Sequence, residues 1–394
     1  MTGIVTLDFE TFYSREFSLS KITTEEYIRD PRFEVIGVST KINKNKPQWF
    51  PNYSDDIESH FSGFDWNKTI LVAHNAMFDA AILAWQYNVH PKLIVDTMSM
   101  SRAVDGVGAK HSLKACTERH GLGVKGTEVL NAIGKQLRDF SEEELARYGR
   151  YCLNDAEITH KLFAHYMQTF PYEELWVIDL TIKMFTDPVL ELDIPLLEQH
   201  LGDIKLEKDK LMEIADTNSE ILQSNPKFAE CLKQLGVVPP KKISPRTNRK
   251  TFAFSKSDQG MMDLLEYPNM AVQTLVSARI GVKSTLEETR TERFLSIGKR
   301  TGVLPVPLKY YAAHTGRWGG TDKINLQNLP SRESNVIKKC IVAPEGYVLI
   351  DADSSQIEAR ILAWLAGQND LVKAFANKED VYKIMASEIY GKPQ

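Results

Sequence analysis

Several features that would place this 394-residue chain in a familiar class are absent from its sequence. No apolar run approaches the ~18 consecutive residues that a membrane-spanning helix needs. The beginning of the chain carries two acidic residues, Asp8 and Glu10, and no basic segment of the kind that opens a secretion signal. Because nothing directs the chain to a membrane or out of the cell, we expect a cytoplasmic protein with no membrane partner.

Cysteine is scarce, and its positions are far apart. The four cysteines are Cys116, Cys152, Cys231 and Cys340, and no two of them form a C-x-x-C pair. This spacing argues against a structural zinc site and against a disulfide framework. We therefore expect reduced thiols, as in a cytosol.

Two signatures of catalysis are missing as well. The chain has no P-loop, which an ATPase would use to hold phosphates, and no G-x-S-x-G turn, which presents a nucleophilic serine in many hydrolases. The sequence thus gives no support to ATP hydrolysis or to a covalent nucleophile, although a dispersed Ser-His-Asp or Cys-His arrangement stays open.

The chain does have ample apolar residues and an uneven charge. A hydrophobic content of 43% is enough for real cores, and the length allows two to four domains of ~100–200 residues each. The net charge is −4, yet residues 241–309 hold 13 Lys and Arg against 6 Asp and Glu. Such a basic segment is typical of a surface that binds a polyanion, but a solvated loop with ordinary helix faces explains it equally well.

Residues 3–11, GIVTLDFET, combine an apolar run with two carboxylates. Alternate residues of a strand point to the same face, so Asp8 and Glu10 would project together, about 7 Å apart at the backbone. On a buried face two such carboxylates repel each other unless a cation lies between them. An isolated D-x-E is more often part of an exposed strand, so a metal site requires further acidic residues downstream.

The first of these is Asp79. Residues 70–73 are typical of a short buried strand, and Asn75 leads from it into a predicted helix over residues 78–87. Asp79 falls in the first turn of that helix, where the helix dipole favours a carboxylate. Alone, it would be an ordinary helix-start residue.

A second helix supplies the last acidic residue. Ser141 and Glu144 have the spacing of a capping box, which predicts that the helix begins there. Tyr151 and Asp155 are four residues apart and would therefore share one face of this helix. A Tyr-Asp pair is common on helices and gains meaning only as part of a set.

The set resembles a known family of nucleases. It consists of D-x-E at residues 8–10, H-N-x-x-F-D at residues 74–79 and Y-x-x-x-D at residues 151–155, which together resemble the DEDD-type 3′–5′ exonucleases whose third motif contains a tyrosine. The resemblance implies a ribonuclease H-like fold. It also implies that Asp8, Glu10, Asp79 and Asp155 bind two metal ions, that Tyr151 orients the attacking water, and that Asn75 contacts the nucleic acid.

The donor chemistry agrees with this expectation. Four carboxylates with no Cys or His among them suit Mg²⁺ or Mn²⁺ rather than zinc. Two such ions ~3.5–4 Å apart can generate hydroxide on one side of a phosphodiester and stabilise the leaving oxygen on the other.

From residue 172 to about 299 the pattern becomes helical. Residues 175–185 and 196–223 carry apolar side chains at three- and four-residue spacing, and a basic loop occupies residues 241–250. A further helix contains Arg279 and Lys283, four residues apart on one face. Two neighbouring cations repel each other unless an anion lies across them, so they are candidates for contacting phosphate, or else part of a screened, exposed face.

The last hundred residues contain three further motifs. T-G-R lies at residues 315–317 and N-L-Q-N-L-P at residues 325–330, and both follow a strand-like segment at residues 303–314. A buried strand is then predicted over residues 347–353, followed by D-x-S-Q-I-E at residues 353–358, which starts a helix. In this order, and with A-R-x-x-x-K-S-T at residues 278–285, the motifs resemble family A DNA polymerases, and most closely the phage-type members.

This second resemblance assigns roles by position. Asp353 is expected to be a catalytic metal ligand. Ser354, Gln356 and Glu358 are expected to lie at the nucleotide, although bacterial members have an aromatic residue at position 354. Arg317, Gln327 and Asn328 are expected to contact primer–template DNA, and Arg279 and Lys283 to contact its phosphates. The implied partners are a single-stranded DNA 3′ end, a primer–template duplex and deoxynucleotides.

The expected fold is α/β, in three parts. Residues 1–171 form a ribonuclease H-like, mixed-sheet exonuclease domain, residues 172–300 a mainly helical thumb-like region, and residues 301–394 an incomplete α+β palm. In family A the chain continues after the position of Gly391 into a fingers motif R-x-x-x-K and later into H-D-E, and neither follows Gly391 here. We therefore expect the N-terminal part of a truncated or split proofreading polymerase of phage or prophage origin, for which a C-terminal polymerase polypeptide is a candidate partner. Two alternatives are a free-standing exonuclease on DNA or RNA whose C-terminal half is a binding platform, and an inactive binding fragment.

Overall fold

The computed structural model describes residues 3–53, 56–126, 132–244, 247–329, 335–350 and 352–391. The chain divides into two compact units, residues 1–344 and residues 345–394, and each is treated separately. Within the described ranges, no helix combines the length and the apolar character needed to cross a membrane.

The first unit begins with a mixed sheet. The strands of this sheet are β1 (Ile4–Thr11), β2 (Val35–Ile42), β3 (Gln48–Pro51), β4 (Ile70–Ala73) and β5 (Leu93–Asp96). The short strands later in the unit are β6 (Glu191–Leu192), β7 (Lys241–Ile243), β8 (Lys250–Phe252), β9 (Leu308–Lys309), β10 (Gly319–Gly320) and β11 (Ile341–Val342). The five-stranded sheet has the order β3-β2-β1-β4-β5. Strand β1 is central, antiparallel to β2 and parallel to β4. The predicted strands near residues 4 and 70 are confirmed.

Helices cover this sheet and form most of the remaining unit. They are α1 (Thr24–Arg29), α2 (Asp56–Ser62), α3 (Ala76–Tyr87), α4 (Thr97–Val104), α5 (Leu113–His120), α6 (Glu142–Tyr166), α7 (Tyr172–Thr186), α8 (Ile194–Ile214), α9 (Ser219–Gln223), α10 (Asn225–Gln234), α11 (Gln259–Leu265), α12 (Met270–Lys283), α13 (Leu286–Thr301) and α14 (Val336–Lys339). Helix α6 begins as predicted. The Glu144 amide donates to Ser141 Oγ at 3.2 Å, and the Ser141 amide donates to Glu144 Oε2 at 3.0 Å.

The main core lies between the sheet and its helices. Leu7 and Leu71 from the strands pack in one cluster with Ile82 of α3 and Leu162 of α6, and all four are at most 1% exposed. Burying each such side chain contributes about 1.5–3 kcal/mol of hydrophobic stabilisation. This packing fixes β1, α3 and α6 against one another, and these elements carry the predicted acidic residues.

The helical region departs from the prediction in one place. The predicted helical stretch over residues 196–223 is divided into α8 and α9, because Asp216 adopts a left-handed conformation with φ of 44° and Asn218 caps the new helix. Beyond the break, a second core forms around Phe228, Leu232 and Val276.

The predicted strand over residues 303–314 is much shorter in the structure. Only β9, two residues long, forms there and pairs with β10. Pro305 and Pro307 precede it, and a proline has no amide hydrogen to donate to a strand ladder.

The second unit consists, in its described part, of α15 (Ile357–Leu365), α16 (Asn369–Ala376) and α17 (Val381–Tyr390). The predicted buried strand over residues 347–353 is wrong. The four apolar residues 347–350 have no strand conformation, and Tyr347 and Val348 are 75% and 81% exposed. An extended segment becomes a strand only by pairing, and the described residues of this unit contain no strand that could pair with it.

Candidate active site

Strand β1 carries the first two carboxylates to the same place. Glu10 is 8% exposed, and Asp8 is partly buried. Carboxylate oxygens of Asp8 and Glu10 and the Sγ of Cys152 all lie within 4.8 Å of one another. Asp8 and Glu10 therefore project from the same face of β1, as their i, i+2 spacing predicts.

Helices α3 and α6 add the other two carboxylates. Asp79 is 4% exposed, and its Oδ1 accepts a hydrogen bond of 3.1 Å from the Phe9 amide of β1. Asp155 is 1% exposed and lies close enough to raise the pKa of both Asp8 and Glu10. We refer to Asp8, Glu10, Asp79 and Asp155 together as the acidic cluster.

Because the acidic cluster is buried, ionising its carboxylates costs free energy. Loss of hydration, and then repulsion by Asp155, raises the pKa of Asp8 from 3.8 to about 7. Burial, and then repulsion by Asp8, raises the pKa of Glu10 and of Asp79 well above their usual values. These are the shifts expected of carboxylates that require nearby positive charge.

Tyr151 lies at the cluster, as its spacing from Asp155 predicts. It is 6% exposed, and burial together with the charge of Asp155 raises its pKa, so the phenol keeps its proton. A protonated hydroxyl can both donate and accept a hydrogen bond. Asn75 is exposed at the start of α3 with φ of 71°, and its amide donates to Asp96 Oδ1 at 2.8 Å.

The two predicted phosphate-binding cations differ in the structure. Lys283 is exposed, with its Nζ 3.3 Å from Asn225 Oδ1. Arg279 is 0% exposed, and its guanidinium donates to Leu222 O and Asn225 Oδ1 and lies over the ring of Phe228. The expectation that Arg279 faces a phosphate is therefore corrected, because its two terminal nitrogens donate to Leu222 and Asn225 and its planar face packs against Phe228 inside the core.

The remaining predicted residues lie in exposed segments. Arg317 precedes β10, and Gln327 and Asn328 belong to a short turn over residues 326–328. In the second unit Asp353 and Ser354 are exposed ahead of α15, Gln356 is half-buried with φ of 55°, and Glu358 lies in the first turn of the helix. Their predicted roles remain predictions.

Comparison with known proteins identifies the family. Residues 196–394 match the family described as DNA polymerase family A, and residues 60–169 match the one described as 3′-5′ exonuclease. The first match covers just over half of the chain. The chain therefore belongs to DNA polymerase family A. It carries an N-terminal exonuclease domain, and the predicted combination of a mixed-sheet domain and a helical polymerase region is confirmed.

Relatives within family A are distant and longer. DNA polymerase I of Pseudomonas aeruginosa is 28% identical over 345 residues, which cover 83% of this chain and 37% of that protein. The DNA polymerase of Bacillus phage SP02 is 21% identical over 99% of this chain and 65% of its own length. The POL domain of Pol1 from M. smegmatis, in complex with DNA primer-template and dNTP, gives a TM-score of 0.62 at 18% identity over 99% of this chain and 64% of that one. The chain thus spans only part of the length of these relatives.

In this family A chain, three residues at the acidic cluster are not predicted by the sequence. Tyr148 donates from its hydroxyl to Glu10 Oε2 at 2.5 Å, and Cys152 Sγ lies 3.2 Å from Asp8 O. Lys125 forms an ion pair with Asp155, and its Nζ lies 4.9 Å from the centre of the Tyr151 ring. Tyr148 could have been found from its i, i+3 spacing to Tyr151, whereas Lys125 lies in a loop and has no such signal.

The acidic cluster has the donor set for divalent metal ions. If all four carboxylates are ionised, the ammonium of Lys125 compensates only one of their charges, and three negative charges remain in a buried place. Carboxylate oxygens are the ligands that Mg²⁺ and Mn²⁺ prefer. The residues present therefore fit two such ions.

Proposed function

We propose that residues 1–171 form a metal-dependent 3′–5′ exonuclease that removes nucleotides from DNA 3′ ends, within a proofreading DNA-directed DNA polymerase. The observation that carries the proposal is the acidic cluster, in which buried carboxylates from β1, α3 and α6 meet beside Tyr151. The match of residues 60–169 to the 3′-5′ exonuclease family supports the same reaction.

Asp8, Glu10, Asp79 and Asp155 would hold two Mg²⁺ or Mn²⁺ ions, which supply the charge that activates water and stabilises the leaving oxygen. The chain's own residues hold the ligands in place. The Phe9 amide fixes Asp79, and the Tyr148 hydroxyl fixes Glu10. Tyr151, protonated and next to Asp155, orients the attacking water.

The reaction is a hydrolysis. The water oxygen forms a new bond to the terminal phosphorus, and the bond between that phosphorus and the 3′ oxygen of the preceding nucleotide breaks. Water loses one proton, and the leaving 3′ oxygen gains one. The products are a nucleoside 5′-monophosphate and DNA shortened by one residue.

The remaining chain would bind the duplex. We assign residues 172–300 to a thumb-like region and residues 301–394 to part of a palm. Lys283, Arg317, Gln327 and Asn328 would contact primer–template DNA, Asp353 would bind a metal ion at the polymerase site, and Ser354, Gln356 and Glu358 would lie at the nucleotide. The M. smegmatis relative, which is similar over 99% of this chain, holds DNA primer-template and dNTP.

The test is cleavage of 5′-labelled single-stranded DNA by the purified chain with Mg²⁺, with Mn²⁺ and with EDTA. We expect stepwise shortening from the 3′ end and release of nucleoside 5′-monophosphates only with metal. Asp8→Ala and Asp155→Ala should abolish cleavage, whereas Tyr151→Phe should lower the rate less, because it removes one hydrogen bond and no ligand charge. Full cleavage by Asp8→Ala would place the active site elsewhere.

A further inference from the structure

Lys125 is the cation in the exonuclease site that the proposed chemistry does not use. Its Nζ pairs with Asp155 and lies over the ring of Tyr151, and the side chain is 27% exposed. Asp155, Asp8 and Glu10 all attract the ammonium. Burying an ammonium costs several kcal/mol unless carboxylates offset the cost, so Lys125 and the acidic cluster stabilise each other.

The loop backbone that carries Lys125 is anchored to α6. The amide Nδ2 of Asn154 donates to Val124 O at 3.0 Å, next to Lys125. Gly123, which precedes Val124, lies so close to α6 that a Cβ atom added to it would be 2.8 Å from Cγ2 of Ile158. The backbone is thus held against the site by α6. The side chain beyond it is flexible, since a lysine ammonium sits at the end of a four-carbon stem.

Charge balance indicates what Lys125 does once metal ions are bound. Two divalent ions carry four positive charges and neutralise the four carboxylates. The charge of Asp155, which would then be a metal ligand, no longer has to be compensated by the Lys125 ammonium. The scissile phosphodiester then brings one further negative charge, and the positive charge of Lys125 balances it. During hydrolysis, a cation close to the non-bridging oxygens stabilises the negative charge on them.

We propose that Lys125 is a catalytic residue of the exonuclease, which leaves Asp155 when metal binds and pairs with a non-bridging oxygen of the scissile phosphate. This inference rests on the proposed function of the site. The ammonium keeps its proton throughout, and the bonds that form and break are those of the hydrolysis above. In the metal-free protein the same side chain serves as the counter-ion of Asp155.

The experiment compares Lys125→Gln and Lys125→Arg with the parent chain. Lys161→Gln is the matched control, because Lys161 lies on α6, is exposed and pairs with Glu157 rather than with the acidic cluster. Binding of Mn²⁺ to each protein without DNA is measured by electron paramagnetic resonance. Single-turnover cleavage of single-stranded DNA is then measured at saturating Mn²⁺, and thermal unfolding checks that each variant is folded.

We expect Lys125→Gln to bind Mn²⁺ at least as tightly as the parent, because a competing cation has been removed. Its cleavage rate should fall by ~10²–10³, the usual loss when one such electrostatic contact is removed. Lys125→Arg should restore part of the rate, and Lys161→Gln should match the parent in both measurements.

Two results would overturn the proposal. Cleavage by Lys125→Gln within about threefold of the parent would make Lys125 a counter-ion of the metal-free state only. Weakened Mn²⁺ binding by Lys125→Gln that fully accounts for its lower rate would make it a residue that positions ligands. If the parent itself binds Mn²⁺ but does not cleave DNA, the proposed function fails, and the role of Lys125 fails with it.

Discussion

Arg300 of α13 donates from Nη1 to both carboxylate oxygens of Glu25 in α1, at 2.7 and 2.6 Å. Glu25 is 2% exposed and also lies 3.5 Å from Nη2 of Arg293. Asp322 reaches the same helix, where it accepts from the Thr24 amide at 2.9 Å. These contacts join the sheet domain to the helical region through charged groups that meet at the buried carboxylate of Glu25.

Glu25→Gln should therefore destabilise the first unit. Removing one partner of a buried ion pair leaves the other charges uncompensated, and the expected loss is about 3 kcal/mol of unfolding free energy. Urea unfolding followed by tryptophan fluorescence measures it. Glu220→Gln is the control, because Glu220 pairs with Lys227 on the surface and is 76% exposed, so it should leave the unfolding midpoint unchanged. Equal midpoints for Glu25→Gln and the parent would show that the buried network adds no stability.

Local spacing accounts for what the sequence predicts well. The i, i+2 relation of Asp8 and Glu10 and the i, i+3 relation of Ser141 and Glu144 involve neighbours on one strand or one helix turn. Backbone geometry alone therefore fixes them, and the structure has both. Local spacing gives each acidic residue its place on a strand or helix, whereas the prediction that Asp8, Asp79 and Asp155 meet rests on the resemblance of the three motifs to the DEDD-type 3′–5′ exonucleases.

Contacts between distant segments could not be predicted in this way. Tyr148 and Glu10 are separated by 138 residues, and Arg300 and Glu25 by 275. No periodicity relates such positions, since tertiary packing alone brings them together. Arg279 illustrates the same limit, because helical spacing puts it on a face with Lys283 but cannot show that its guanidinium packs over Phe228 and Phe254.

The two cations of α12 should respond differently to substitution. Lys283→Gln should weaken binding of a primer–template duplex of any sequence and lower the slope of log affinity against log salt by about 1, because one phosphate contact is lost. Fluorescence anisotropy over a range of salt concentrations measures both quantities. Lys233→Gln, which removes an exposed lysine paired with Glu230, should change neither. An unchanged salt slope for Lys283→Gln would make this face a solvated surface.

Arg279→Gln should act on stability instead. Its guanidinium lies over the rings of Phe228 and Phe254 and donates to Leu222 O, so the substitution removes packing and hydrogen bonds in the second core. We expect a loss of about 2–4 kcal/mol, as for other disrupted buried networks. A variant that keeps the parent's unfolding midpoint but loses DNA affinity would instead support a direct phosphate contact.

Gly149 of α6 allows Trp49 of β3 to pack against the helix. A Cβ at Gly149 would lie 2.6 Å from Cδ1 of Trp49, too close without movement of the ring. Gly149→Ala should cost about 1–3 kcal/mol by overpacking, despite the higher helix propensity of alanine. Gly202→Ala in α8 meets nothing within 4 Å and should stabilise by about 0.5–1 kcal/mol. Equal effects on the urea midpoint would rule out the clash with Trp49.

The raised pKa values of the acidic cluster predict how stability depends on pH. Asp8 has a pKa of about 7 in the folded chain against an ordinary value of 3.8, and the pKa values of Glu10 and Asp79 are raised as well. A folded pKa above the unfolded one means that the stabilising contribution is complete below about pH 4 and is lost as the pH rises through 7. The cluster should therefore destabilise the metal-free chain most at alkaline pH.

Metal should reverse this dependence, because divalent ions bind the ionised carboxylates and displace their protons. We expect the increase in melting temperature caused by Mg²⁺ to be small at pH 5 and larger at pH 8, with the change centred near the pKa of Asp8, about 7. Differential scanning calorimetry with Mg²⁺ and with EDTA measures it. Asp8→Asn should remove most of the pH dependence, since it removes both the titrating group and a ligand. Asp30→Asn should leave it intact, because Asp30 lies outside the acidic cluster and has a pKa lowered to about 2 by its hydrogen bonds with Arg32. A Mg²⁺ effect of the same size at pH 5 and pH 8 would show that burial does not raise the pKa values of the acidic cluster into this pH range.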